Sequence, residues 1–85
     1  MDISRAEQRV LHLLAQGGRI EKFRDEEETL IVECYNREGW RYPHLDIVLF
    51  RKLKRKRAIA SRNRGPYRIT RRGLKLVRSQ LDNCG

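Results

Sequence analysis

The apolar residues of this 85-residue chain change their spacing from helical to alternating and back again, and each change marks a boundary that the fold must respect. Val10, Leu11 and Leu14, with Ala6 and Leu13 beside them, recur at helical spacing and predict a helix over residues 4–15. Ser4 and Glu7 stand at capping-box spacing, so the hydroxyl accepts an early backbone N–H while the carboxylate reaches back to the cap. Gly17-Gly18 then stops the helix, because glycine reaches positive φ without a Cβ clash. In residues 29–36 the period drops to two: Leu30, Val32 and Cys34 alternate with Ile31, Glu33 and Tyr35. With residues 19–24 this segment reads as a hairpin closed by the acidic run Asp25-Glu26-Glu27-Glu28, and Asn36-Arg37-Glu38-Gly39 marks the next turn.

Pro43 fixes its own φ and pushes Tyr42 into an extended conformation. Leu45, Val48, Leu49 and Leu53 then return to helical spacing and predict a helix over about 44–57. Ala58-Ile59-Ala60 and Tyr67-Arg68-Ile69-Thr70 flank Ser61-Arg62-Asn63-Arg64-Gly65-Pro66 as a second hairpin with a Gly-Pro turn. Thr70 is placed to cap a last helix with apolar positions Leu74, Val77 and Leu81. The order helix, hairpin, helix, hairpin, helix predicts a single α+β domain over residues 1–85, winged-helix-like in plan. It departs from that plan in one respect. The space where a helix-turn-helix protein carries a short helix before its recognition helix holds the 19–36 hairpin instead.

The charge is divided along the chain. Residues 1–50 carry 7 Lys and Arg against 10 Asp and Glu, whereas residues 51–85 carry 13 against one, for a total of +9. An asymmetry of this size predicts a face that meets a polyanion or an acidic protein. The longest apolar run, Ile47-Val48-Leu49-Phe50, is far short of the ~20 residues that span a bilayer. No apolar leader follows Met1, so a cytoplasmic location is expected, with Cys34 and Cys84 as reduced thiols.

Six cations crowd Arg51-Lys52-Leu53-Lys54-Arg55-Lys56-Arg57. The helix dipole accounts for two or three of them at a C-terminus, but six repel one another at i,i+3 and i,i+4. Arg51, Lys54, Arg55 and Arg57 are therefore candidate contact residues. Arg62, Arg64, Arg68, Arg71 and Arg72 form a second candidate group, and Arg71 and Arg72 stand in a first helical turn, where positive charge is disfavoured. Arginine forks of this kind meet phosphates or carboxylates equally well. The acidic loop Asp25–Glu28 reads as a solvated turn, or as a segment that docks on a basic partner or on the chain's own basic face. Tyr35, Trp40, Tyr42 and Tyr67 read as core or half-core bulk. His12, His44 and the two cysteines lack metal-ligand spacing, and the chain carries no phosphate loop or nucleophile motif, so neither an enzyme nor a cofactor is expected. A ribonuclease working through dispersed His, Arg and Tyr residues is the weakest alternative.

The segments Ser4 through Ile20, Val32-Glu33-Cys34-Tyr35-Asn36-Arg37-Glu38-Gly39, Phe50-Arg51-Lys52-Leu53-Lys54-Arg55-Lys56, Pro66-Tyr67-Arg68-Ile69-Thr70 and Gly73-Leu74 through Asn83 occur in an order and spacing that resembles the YjhX-type toxin family of bacterial toxin–antitoxin pairs. The resemblance covers nearly all of the chain and is weakest in the acidic loop and from Trp40 to Asp46. It implies a toxin that inhibits DNA topoisomerase I by binding, with topoisomerase I and a cognate antitoxin as partners. The rival from the residues alone is a winged-helix transcriptional regulator that binds DNA through its second hairpin and the 44–57 helix.

Overall fold

A computed structural model describes residues 3–82, the last three as helical backbone only. The elements run α1 (Arg5–Ala15), β1 (Arg19–Arg24), β2 (Leu30–Tyr35), β3 (Arg41–Tyr42), α2 (Ile47–Arg55), β4 (Ile59–Ser61), β5 (Tyr67–Ile69) and α3 (Arg71–Asp82). The architecture is α+β, with three helices and one antiparallel sheet of five strands in the order β3-β2-β1-β5-β4. The two expected hairpins are joined into this sheet where Ile20 pairs with Tyr67. The short β3, which no periodicity announces, pairs Tyr35 with Arg41 and Cys34 with Tyr42 at the sheet edge.

α1 has the boundaries its sequence predicts. Glu7 N–H donates to Ser4 Oγ at 3.1 Å, and Ser4 N–H donates to Glu7 Oε1 at 2.9 Å. The C-terminus closes as a Schellman motif. Gly18 N–H donates to the Leu13 carbonyl at 3.2 Å and Gly17 N–H to the Leu14 carbonyl at 3.1 Å, with Gly17 at φ 105°. Val10, Leu11 and Leu14 face a core completed by Ile20, Val32 and Cys34 from the sheet, Phe50 and Leu53 from α2, and Leu76 and Val77 from α3.

Four features differ from the sequence expectation. α2 starts at Ile47 and not just after Pro43, because Asp46 is its N-cap and accepts the Leu49 N–H at 2.8 Å. Its buried face is Leu49, Phe50 and Leu53, and Val48 points outward at 58% exposure. In α3 the buried pair is Leu76 and Val77, while Leu74 is exposed; the Leu81 side chain and Cys84 lie outside the described residues. The β4–β5 connection turns over at Asn63 and Arg64, with φ 55° and 61°, and Gly65 N–H donates back to the Arg62 carbonyl at 3.0 Å. Two successive positive φ values are the type I′ pattern that suits the twist of a hairpin. Gly65 closes that turn through its N–H and Pro66 follows it, so the Gly-Pro pair does not supply the two central residues.

The end of α2 is held by the start of α3 through three consecutive carbonyls. Arg72 Nε donates to Lys56 O at 2.7 Å, Thr70 Oγ1 donates to Arg57 O at 2.7 Å, and Thr70 N–H donates to Ala58 O at 2.9 Å. Thr70 Oγ1 also accepts the Gly73 N–H at 3.0 Å, which makes it the cap its position suggested. The approach is so close that a Cβ on Gly73 would stand 2.3 Å from the Ala58 carbonyl oxygen and 2.7 Å from Ile69 Cγ1. Helix propensity alone favours Gly73→Ala by about 1 kcal/mol. Overpacking against backbone opposes it by about 1–3 kcal/mol or more. The expected result is a net loss of stability in urea denaturation; a gain would show that the junction relaxes freely.

Candidate partner-binding surface

All nine arginine and lysine side chains singled out by sequence are exposed, yet they do not serve alike. Arg51, Lys54 and Arg55 project from α2. Lys54 Nζ stands 5.6 Å from the ring centres of both Phe50 and Tyr67, which meet edge to face at 5.0 Å. Lys22 Nζ reaches the same Tyr67 ring at 5.6 Å and its hydroxyl at 3.4 Å. The β1–β5 pairing thus brings a cation from the acidic half of the chain to the basic face. The sequence carried a signal for it: Lys22 occupies the same strand face as the buried Ile20, where an apolar residue is the default.

Arg57 occupies the position after the α2 C-cap with φ 58°. Its N–H donates to the Lys54 carbonyl at 2.9 Å and the Ala58 N–H to the Leu53 carbonyl at 3.0 Å, a second Schellman motif. Glycine is the usual occupant of that position, and a left-handed conformation disfavours residues with a Cβ by about 1–2 kcal/mol. Arg64, at φ 61° in the type I′ turn, also stands where glycine is the usual choice.

Arg68 and Arg72 are engaged with backbone. Arg68 Nη1 donates to the Gly17 and Gly18 carbonyls at 3.3 and 3.2 Å, which ties β5 to the turn after α1. Arg72, grouped by sequence with the hairpin tip, instead reaches the carbonyl end of α2, where a cation complements the dipole that its own helix start opposes. With Arg55, Lys56 and Arg57 it lines one hollow of about 530 Å³. Arg62, Arg68 and Arg71 line a second, of about 660 Å³, with Pro66 and Thr70.

Lys56 is the one member of the helix-end block drawn inward. Its Nζ lies 2.7 Å from Glu7 Oε2 and 3.0 Å from Oε1, joining the end of α2 to the start of α1. Burial pushes the Glu7 carboxyl up, but the Lys56 ammonium and the Ser4 N–H and hydroxyl outweigh it and hold the group below its ordinary value of 4.5.

The acidic loop is a turn. Asp25 Oδ1 accepts the N–H groups of Glu27 and Thr29, each at 2.9 Å, and no ion pair joins Asp25–Glu28 to a cation among the described residues. Tyr67 is buried and Tyr35 and Tyr42 are half-buried, whereas Trp40 is 74% exposed in the turn before β3, contrary to its expected place in the core. Asn36 fixes that turn by exchanging backbone and side-chain bonds with Trp40 N–H and O, all within the loop, so the backbone and not the indole does the packing.

Burial pushes the Cys34 thiol up from 9.0 to about 11. In a Cys84→Ser background the native protein should therefore resist a thiol reagent at neutral pH and react once unfolded; rapid native labelling would refute this. Among the described residues no group of three or more His, Cys, Asp or Glu is placed to hold a metal, and no helix is long and apolar enough to cross a membrane.

The chain is 71% identical over 85 residues to a UPF0386 protein of Hyphomonas neptunium, covering 99% of this chain and 100% of the relative. It is 66% identical over 84 residues to the UPF0386 protein of Chelativorans sp. strain BNC1, covering 98% and 99%. A third relative, from Sinorhizobium fredii, is 65% identical over 83 residues with the same coverage. No solved structure matches the chain. Residues 1–84 match the family described as "putative toxin of bacterial toxin-antitoxin pair", and by that match the chain belongs to the YjhX toxin family.

Proposed function

We propose that this protein is a toxin that lowers DNA topoisomerase I activity by binding, through the exposed cations of α2 and of the turn that ends it, of the β4–β5 turn and of the first turn of α3. The observation that carries the reading is the conformation of Arg57 and Arg64. Each keeps a charged side chain at a position where glycine relieves the backbone. Glu28 and Asn63 share this backbone conformation, but Arg57 and Arg64 are the two that carry a cation, and strain of this kind clusters at functional sites, which supports a contact outside the fold. Family membership supplies a cognate antitoxin as the second partner. The action is docking; none of the residues gathered on this face offers bond-breaking chemistry.

Purified protein should slow plasmid relaxation by topoisomerase I, and undiminished relaxation at saturating protein would refute the reading. Retention of the enzyme in a pull-down after nuclease treatment is the expected sign of direct protein contact.

One observation favours the second reading, a DNA-binding regulator. On this reading the β4–β5 turn would act as a wing, and the strand order β1-β5-β4, with α2 leading into β4, supports it. That reading requires duplex binding by the isolated protein, with a log–log salt slope near −4.5 for about five phosphates. The β1–β2–β3 segment in front of α2 leaves no helix to seat it in a groove, which weighs against base-specific readout.

A further inference from the structure

We infer that a groove between α1 and the β2–β3 region, apart from the basic face, binds a single-stranded phosphodiester chain. The groove encloses about 1260 Å³. One wall is the outer stripe of α1, where Arg5, Arg9 and His12 follow at i, i+4 and i+7. The other wall brings Arg37 from the turn after β2, Tyr42 from β3 and His44 from the segment leading to α2. Glu38 is the one acid on its lining. All of these cations belong to residues 1–50, the half whose net charge is negative, so composition conceals the site.

Each contribution has a structural cause. The α1 stripe is left outward because Glu7, Val10, Leu11 and Leu14 take the buried face. Arg37 lays its stem across Gly17, whose added Cβ would meet Arg37 Cγ and Cδ at 3.3 Å, and this directs the residue to the α1 side. Arg5, Arg9 and Arg37 have no ion-pair partner among the described residues, although acids are abundant in this half. Tyr42 and His44 meet edge to face with ring centres 5.2 Å apart.

This combination selects the ligand class. Arg5 and Arg9 stand one turn apart, about 6 Å along the axis, so each can meet its own phosphate on an extended strand. Arg37 faces them across the groove. The Tyr42–His44 pair offers ring surface to an unstacked base, which a duplex does not present and an acidic peptide does not use. RNA and DNA strands share this chemistry.

The test is fluorescence anisotropy with labelled oligo(U) and oligo(dT) 10-mers at 150 mM salt, on the wild type, on Arg9→Gln/Arg37→Gln and on Arg62→Gln/Arg64→Gln. Glutamine keeps most of the stem that covers Gly17. The groove variant should lose at least tenfold in affinity and the turn variant less than threefold. Contact with about three phosphates predicts a log–log salt slope near −2 for a single strand. The oligo(U) and oligo(dT) arms tell which nucleic acid the groove takes, and binding of either one that the groove variant loses supports it. Equal losses in both variants, or a loss confined to the turn variant, would overturn the inference. So would a polyglutamate peptide that binds the groove when neither oligonucleotide does. A second readout avoids substitution: in the wild type, the imidazole C–H resonances of both His12 and His44 should move on addition of the oligonucleotide, and their joint immobility would also overturn it. Neither measurement involves topoisomerase, so this site stands or falls separately from the proposed toxin activity.

Discussion

Replacing Glu7 by alanine should remove about 2–4 kcal/mol of stability, a large share of the ~4–13 kcal/mol expected for a domain of this length. Two partners, Ser4 and Lys56, meet on one carboxylate. It accepts the Ser4 N–H and so closes the capping box, and loss of one such hydrogen bond costs about 0.5–1.5 kcal/mol. It holds Lys56 at 2.7 Å while only 3% exposed. Breaking a fully buried pair costs about 3–5 kcal/mol, and the lower range fits here because the Lys56 side chain keeps 24% of its exposure. At about 4–8 °C per kcal/mol, the thermal midpoint followed by circular dichroism should fall by at least ~8 °C. Glu7→Gln, which keeps the hydrogen-bonding shape without the charge, should lose less.

The pH dependence carries a sign. The Glu7 carboxyl titrates below 4.5 in the folded state, so its contribution is present above the unfolded value and disappears as pH falls through the folded one. Wild-type stability should thus decline in acid below about pH 4.5 more steeply than that of Glu7→Gln. A loss under 1 kcal/mol in Glu7→Ala at neutral pH, or parallel acid profiles, would contradict the linkage.

What the sequence made legible follows how far each cause reaches along the chain. The start and stop of α1 depend on Ser4, Glu7, Gly17 and Gly18, all within a turn of the boundary, and the structure places them as expected. The β1–β2 register is also local, because the alternation of Leu30 through Tyr35 determines which residues face the core. The start of α2 differs from the expectation although its cause is local: Asp46 is a better N-cap than anything beside Pro43, and the apolar Leu45 masks it. The second partner of Glu7 is 49 residues away, and no periodicity announces it. The same holds for Arg72, whose place in a first helical turn looks unfavourable until Lys56 O appears as its acceptor. The groove between α1 and Arg37, Tyr42 and His44 needed the sheet to bring β3 back beside the helix. Its residues were each visible, but as scattered polar positions in an acidic half.

Substituting Arg57 and Arg64 together by glycine should move stability and inhibition in opposite directions. Both residues hold positive φ, 58° and 61°, in motifs that favour glycine. Relief of the left-handed conformation yields about 1–2 kcal/mol per residue, and the greater chain entropy of glycine in the unfolded state takes back about 0.5–1 kcal/mol. The double variant should therefore be more stable by up to about 3 kcal/mol, a rise of several degrees in the thermal midpoint. Neither guanidinium has a hydrogen-bond or ion-pair partner among the described residues, so no polar bond of either guanidinium among them is lost in exchange. If these side chains meet phosphates or carboxylates of the target, each forfeits a charge-assisted bond of about 1.5–3 kcal/mol. The concentration needed to slow plasmid relaxation should then rise at least tenfold. Arg68→Gln and Arg72→Gln provide the contrast, because both side chains donate to backbone carbonyls that hold the fold together. They should lower the thermal midpoint, the opposite of the glycine pair. A glycine double variant that inhibits as well as the wild type would remove Arg57 and Arg64 from the contact surface, and one that is less stable would remove strain as the reason for singling them out.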